Sequence, residues 1–178
     1  FLYVGRYVRE KSLDVLVEAY KIYRNECPDP WPLRCAGMGP EAALLKAVPG
    51  IEDLGFLAPE QLRLHWENAG CFVLASRFDP WPLVVVEAAA AGLPIIATDT
   101  CGSTVENVRH LFNGYIAPTS DARQIADGMK FMHTHHANLP DMGRSSQQFA
   151  AGYSAEIWAQ RVKEMIARAP IGAGAAGI

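Results

Sequence analysis

Two carboxylates, two cations and a few helix-start amides are the groups in this sequence that could do chemistry together. Asp79 and Glu87 stand with seven residues between them in the stretch SRFDPWPLVVVEAAAAGLPIIATD, Ser76 to Asp99. Between Pro80 and Leu93, Glu87 is the only ionisable side chain. The surrounding helix has valines on one side and alanines on the other, a pattern that predicts burial on most faces. A carboxylate buried there without a partner would cost several kcal/mol, so it needs a cation, a donor or a ligand. Glu87 lies about one turn into the helix, where the dipole favours an anion. Two readings stand: a structural carboxylate satisfied by the dipole and nearby hydroxyls, or a ligand-binding one. Asp79 sits in a loop stiffened by Pro80 and Pro82. Alone it reads as a turn or capping residue; with Glu87 it reads as a second acid at one site. The amides of Leu83 and Val84 begin the helix without intrahelical partners, and such amides bind phosphate well. Arg6 follows Gly5 at the end of the first strand, and Lys11 precedes the first long helix. Each alone is an ordinary surface charge, but two cations flanking one loop suit a diphosphate.

Other motifs are weaker. CAGMGPE holds Gly37 and Gly39 but lacks the third glycine and the well-placed acid of a dinucleotide fingerprint, so NAD is not implied. In CGSTVENV, Ser103 and Glu106 have the spacing of a capping box. HTHH, His133 to His136, reads as cations at a helix C-terminus rather than as metal ligands. Cys27, Cys35, Cys71 and Cys101 form no CxxC pair, which leaves reduced thiols in a cytosolic protein, each a small buried hydrophobe.

The elements that must position these groups alternate. FLYVG, WPLRCAG, IEDLG, CFVLAS, PIIAT and GYIAP read as strands. Between them lie helical patterns: Ser12 to Glu26, PEAALLKAV, PEQLRLHWENA, residues 82 to 92 ended by Gly92, and a short helix after Cys101. Three more follow, over 121 to 136, 138 to 150 and 154 to 168. Such alternation predicts βαβ units. Right-handed crossovers then give an α/β doubly wound parallel sheet of about six strands with helices on both faces. Ligands of such sheets bind at the carboxyl ends of the strands, so every loop that follows a strand is a candidate.

Size and charge narrow the classes. The chain has 178 residues, half of them hydrophobic, with a net charge of −3. That is one soluble globular domain, with no global basic excess to imply a nucleic-acid partner. No apolar run is long enough for a membrane span, and no signal peptide is visible. The chain opens on a strand without an initiator Met, as though cut from a longer protein. The Gly-rich stretch from 169 to 178 reads as a flexible tail.

Together VGRYVREKSLDVLVEAY, CAGMGPE, DLGFLAPEQL, the Ser76 to Asp99 stretch and NGYIAP resemble the C-terminal, donor-binding domain of the retaining family 4 glycosyltransferases, in order and spacing over nearly the whole chain. The resemblance implies one Rossmann-like half of a GT-B fold, spanning residues 1 to 168, that binds a nucleotide-diphosphate sugar. The N-terminal acceptor-binding half would be missing, and the fragment alone would be inactive. Arg6, Lys11, Asp79 and Glu87 would be the catalytic set. Arg6 and Lys11 would hold the diphosphate, Asp79 would face the sugar, and Glu87 would bind the ribose hydroxyls. Gly5, Gly39, Gly55, Phe56, Ser76, Leu83 and Val84 would complete the donor site, with the base near Gly55 and Phe56. Transfer of a hexosyl group would retain the anomeric configuration and need no metal or cofactor. The acceptor would be a glycan, a lipid or another molecule. The location implied is cytoplasmic, with room for peripheral membrane association through the missing half. Three features depart from the family: Asp79 where Glu is usual, Pro82 where Gly is frequent, and Ser12 where Gly often follows the Lys. Two other functions share this fold: a sugar-nucleotide epimerase or phosphorylase, and a non-catalytic nucleotide-binding or regulatory domain.

Overall fold

The central strands, in CFVLAS and PIIAT, are short apolar runs with no alternation, which suits strands covered on both faces, whereas the run IEDLG carries exposed Glu52 and Asp53. Phe72–Leu74 and Ile95–Thr98 are buried throughout. The computed structural model describes residues 1 to 46 and 48 to 168. The expected tail from 169 to 178 lies outside the described residues.

In chain order the elements are β1 (Leu2–Val4), α1 (Leu13–Glu26), β2 (Leu33–Ala36), β3 (Ile51–Gly55), α2 (Pro59–Glu67), β4 (Phe72–Leu74) and α3 (Leu83–Ala90). Then follow β5 (Ile95–Thr98), α4 (Gly102–Asn107), β6 (Gly114–Ala117), α5 (Ala122–Thr134), α6 (Leu139–Ala150) and α7 (Ala155–Arg168). PEAALLKAV is a 3-10 turn over Pro40–Leu44 rather than an α-helix.

The six strands form one parallel sheet in the order β3-β2-β1-β4-β5-β6. The sheet grows one way from β1 and the other way from β4. Right-handed crossovers in opposite directions place α1 and α3 on opposite faces. Helix α5 packs with α1, and α6 packs with α3 and α4. The core lies on both sides of the central strands, from Leu16 and Tyr20 of α1 to Val85 and Ala89 of α3. The chain reverses its direction of winding between β1 and β4, so the loops after these two strands part and leave a crevice at their carboxyl ends.

Helix α3 ends as Gly92 requires. Gly92 has φ +80, and the Leu93 amide reaches back to the Ala88 carbonyl at 3.0 Å, a Schellman closure.

Candidate functional site

The loops at the carboxyl edge are stacked by their backbones. Gly5 N donates to Ala36 O (3.0 Å), Tyr7 N to Met38 O (2.8 Å) and Gly37 N to Gly55 O (2.8 Å). This stacking explains the glycines of CAGMG. A Cβ on Gly37 would stand 1.9 Å from Gly5 O, and one on Gly39 would stand 2.3 Å from Tyr7 O. Both positions need glycine because backbone passes against backbone. Tyr7 bolts the same layer from within, its hydroxyl 2.8 Å from Cys35 O and 3.0 Å from Asp53 Oδ1. Burial and the Asp53 carboxylate push its ionisation far above the ordinary tyrosine range.

Over these loops opens a cavity of about 550 Å³, walled by Gly5, Arg6, Gly37, Met38, Gly39, Phe56 and Leu62 among others. Its walls are mostly apolar, with Arg6 at the edge. The Phe56 side chain is 70% exposed. Gly55, in the left-handed region at φ +66, turns the chain there, and nothing lies within 4 Å of where its Cβ would be.

On the far side of the crevice, Lys11 and Asp79 meet. Lys11 Nζ donates to Asp79 Oδ2, with side chains only 15% and 14% exposed. One residue comes from the loop after β1 and the other from the loop after β4, so the pair bridges the point where the sheet reverses. Arg6 is exposed and makes no ion pair among the described residues. The Asp79 loop is held at both ends. Arg77 N donates to Glu10 O (2.8 Å), and Gly102 N donates to Asp79 O (3.0 Å).

Ser12, just after Lys11, sits in the left-handed region at φ +53 and is wholly buried, its hydroxyl without a partner. The left-handed conformation costs an L residue about 1–2 kcal/mol, which accounts for Gly being frequent there. Ser12→Gly should therefore raise stability by about 1 kcal/mol, after allowing for the extra freedom of glycine in the unfolded chain. Urea midpoints check this; a loss of stability would mean that the hydroxyl makes a contact worth more than the strain.

Three expectations are corrected. Glu87 is not buried. Helix α3 packs through Val85, Ala88 and Ala89, while Leu83, Glu87 and Ala90 are exposed. The packed face combines one valine with two alanines, so the valine side is not the inner side, and Glu87 needs no internal partner. Ser103 and Glu106 make no capping box. Cys101 is the N-cap of α4, and Ser103 Oγ instead donates to Pro82 O at 2.9 Å. A carbonyl from another loop outcompetes the local cap. Glu106 accepts from the Tyr153 hydroxyl. Cys27 is half-buried, whereas Cys35, Cys71 and Cys101 are buried; all four are free thiols. Burial pushes Cys35 and Cys71 up to about 12.

Leu83 and Val84 stand at an uncapped helix start, where Val85 N already donates to Pro82 O (3.1 Å). Ser76 is wholly buried and stands behind the site rather than on its surface. The sequence did not reveal the Lys11–Asp79 pair or the threonines around Ser76 O; their only sequence signal is position after a strand. His133 of HTHH turns inward, 2.6 Å from the Tyr23 hydroxyl and stacked on Trp31. A smaller cavity of about 290 Å³ lies at the opposite, amino edge beside Trp31, His65 and Asn68. It is remote from the crevice where a sheet of this winding binds ligands.

A family model described as Glycosyl transferases group 1 matches residues 1 to 135. An uncharacterized glycosyltransferase of Haemophilus influenzae is 27% identical over 87% of this chain and 45% of its own length. An exopolysaccharide phosphotransferase of Streptomyces coelicolor is 27% identical over 92% of this chain and 18% of its own. The chain thus spans less than half of either relative. Among solved structures, the pneumococcal O-GlcNAc transferase GtfA in complex with UDP and GlcNAc aligns with a TM-score of 0.78 at 24% identity. That alignment covers 93% of this chain and 35% of the other. No described helix is long and apolar enough to cross a membrane.

Proposed function

The chain belongs to the glycosyl transferases group 1 family, and on that premise we propose that it is the donor-binding half of a retaining hexosyltransferase that uses a nucleotide-diphosphate sugar. The observation that carries the reading is the meeting of Lys11 and Asp79 where the sheet reverses, with Arg6 of the same β1 loop on the wall of the apolar cavity. The site offers a cation for phosphate next to an acid for sugar hydroxyls. It also offers a second cation in Arg6, without an ion pair among the described residues, and a cavity fit for a planar base. In this reading the base enters near Gly55 and Phe56, against the walls formed by Gly5 and Gly39. Glu87, exposed one turn into α3, takes the ribose hydroxyls as its partners. Arg6, Lys11 and the amides of Leu83 and Val84 hold the diphosphate.

The bond between the anomeric carbon and the diphosphate oxygen breaks. The acceptor oxygen bonds to the same face of that carbon, and its proton passes to a phosphate oxygen. Charge accumulates on the leaving diphosphate, where fixed cations lower the barrier most. Arg6 and Lys11 supply two positive charges, so no metal or other cofactor is required. The acceptor is bound by a second half that this chain does not contain, as in a GT-B pair.

The test is calorimetry of this chain with UDP, GDP and ADP, starting with UDP because the GtfA structure holds it. One of the three should bind, and the chain alone should turn over no donor. No heat with any of them at millimolar concentration would remove the reading.

A further inference from the structure

The carbonyl of Ser76 is the acceptor for three threonine hydroxyls, one from the end of β5 and one each from the loops after β5 and β6. Thr98 Oγ1 lies 2.6 Å from it, Thr100 Oγ1 3.0 Å and Thr119 Oγ1 3.2 Å. A carbonyl oxygen has two lone pairs and each hydroxyl has one proton, so all three cannot donate to it fully at once. Thr100 Oγ1 and Thr119 Oγ1 are 2.8 Å apart and close the remaining link between themselves. Thr119 is fixed in turn, its amide donating to Asp99 Oδ1 at 3.0 Å. The result is a clamp joining the loops after β4, β5 and β6.

Ser76 opens the stretch of the loop between β4 and α3 that leads to Asp79. The Asp79 amide reaches Thr100 O at 3.4 Å, so Thr100 holds this stretch at both ends: by its hydroxyl at Ser76 and by its carbonyl at Asp79. Thr98 is wholly buried, whereas Thr100 and Thr119 are half-buried at the edge. A hydroxyl cluster this specific is more than packing requires, since a valine would fill the same space.

We propose that Thr100 and Thr119 are positioning residues that set where the Asp79 carboxylate stands, and so how the sugar of the donor is recognised. The inference rests on the proposed donor site. Neither hydroxyl needs to touch the donor. When either hydroxyl is removed, Ser76 O keeps the Thr98 hydroxyl and the loop keeps its Pro80 and Pro82 stiffness, but the loop loses the Thr100–Thr119 link that ties it to the loops after β5 and β6. The carboxylate at its far end then samples positions away from the sugar, while Arg6 and the base cavity are untouched.

The experiment is calorimetry of this chain and its Thr100→Val, Thr119→Val and Thr119→Ser variants. The probes are whichever of UDP, GDP and ADP the wild type binds, and that nucleotide's glucose, galactose, mannose and N-acetylglucosamine conjugates. Each valine variant should bind the plain diphosphate within about twofold of wild type. It should lose about fivefold of the extra affinity that the best sugar adds, the worth of roughly one net hydrogen bond. Thr119→Ser, which restores the hydroxyl, should recover it. Equal losses for diphosphate and conjugate, or no recovery with serine, would overturn the positioning role and leave the donor site standing. A wild type that binds no diphosphate, or gains nothing from any sugar, would overturn the donor reading itself and this proposal with it.

Discussion

Lys11→Met should weaken nucleoside diphosphate binding by roughly 1.5–3 kcal/mol, about 10- to 150-fold, the usual worth of a hydrogen bond to a charged group. Affinity for the nucleoside alone should be unchanged. Asp79→Asn should act in the opposite direction on the same ligand. In the free chain Lys11 already has an anion beside it, and a diphosphate must share or displace that partner. Removing the charge of Asp79 leaves Lys11 wholly available, so plain diphosphate should bind several-fold tighter, while the affinity added by the sugar is lost. The two effects are coupled through one contact, so they should not add. In a Lys11→Met background, Asp79→Asn should no longer tighten diphosphate binding. Calorimetry of the four proteins with the diphosphate and its sugar conjugate reads out the cycle. Additive changes, or a uniform loss for nucleoside and diphosphate, would mean that Asp79 and the diphosphate do not compete for Lys11.

Gly102→Ala should cost about 3 kcal/mol or more of stability. A Cβ there would lie 1.9 Å from Pro80 O, and the clash is with backbone that has no rotamer to change. Overpacking usually costs about 1–3 kcal/mol, and this contact belongs at the upper end because the chain is held on both sides of Pro80. Before it, Gly102 N bonds Asp79 O, and after it Ser103 Oγ bonds Pro82 O. The chain can relieve the clash only by moving the loop that carries Asp79. Thermal melts report the destabilisation. The displaced loop should also abolish the sugar's contribution to binding in whatever fraction remains folded. A melting temperature within a degree of wild type would show that the two loops separate freely.

The sheet was legible in the sequence because its central strands are parallel and covered on both faces. CFVLAS and PIIAT could hardly be anything but central strands, and Gly92 marked the end of α3 through its positive φ. The frequent Gly after Lys11 also carried a physical signal, since Ser12 does adopt the left-handed region. The orientation of α3 was not legible. A helix apolar at every position but one has little amphipathic contrast, so the sequence could not say that Leu83 and Glu87 point outward while Val85 and Ala88 point in. The capping box failed for a related reason: Ser103 had a local partner within reach and a better one, Pro82 O, 21 residues away. The Lys11–Asp79 pair joins residues 68 apart, and the clamp on Ser76 O gathers hydroxyls 22 to 43 residues distant. No periodicity encodes such meetings. They follow from the strand order, which brings the loop after β1 beside the loop after β4 and the loops after β5 and β6 in behind it.

The donor site at the carboxyl edge is tested most directly by following backbone amide resonances of the isotope-labelled chain as UDP is added, with GDP and ADP as parallel titrations. The account predicts that one nucleotide shifts a contiguous set: Gly5, Arg6 and Lys11 after β1, Gly55 and Phe56 at the end of β3, and Leu83, Val84 and Glu87 at the start of α3. Resonances of Trp31, His65 and Asn68 at the amino edge should stay in place. Shifts centred on those amino-edge residues, or none at all with any of the three nucleotides, would contradict it.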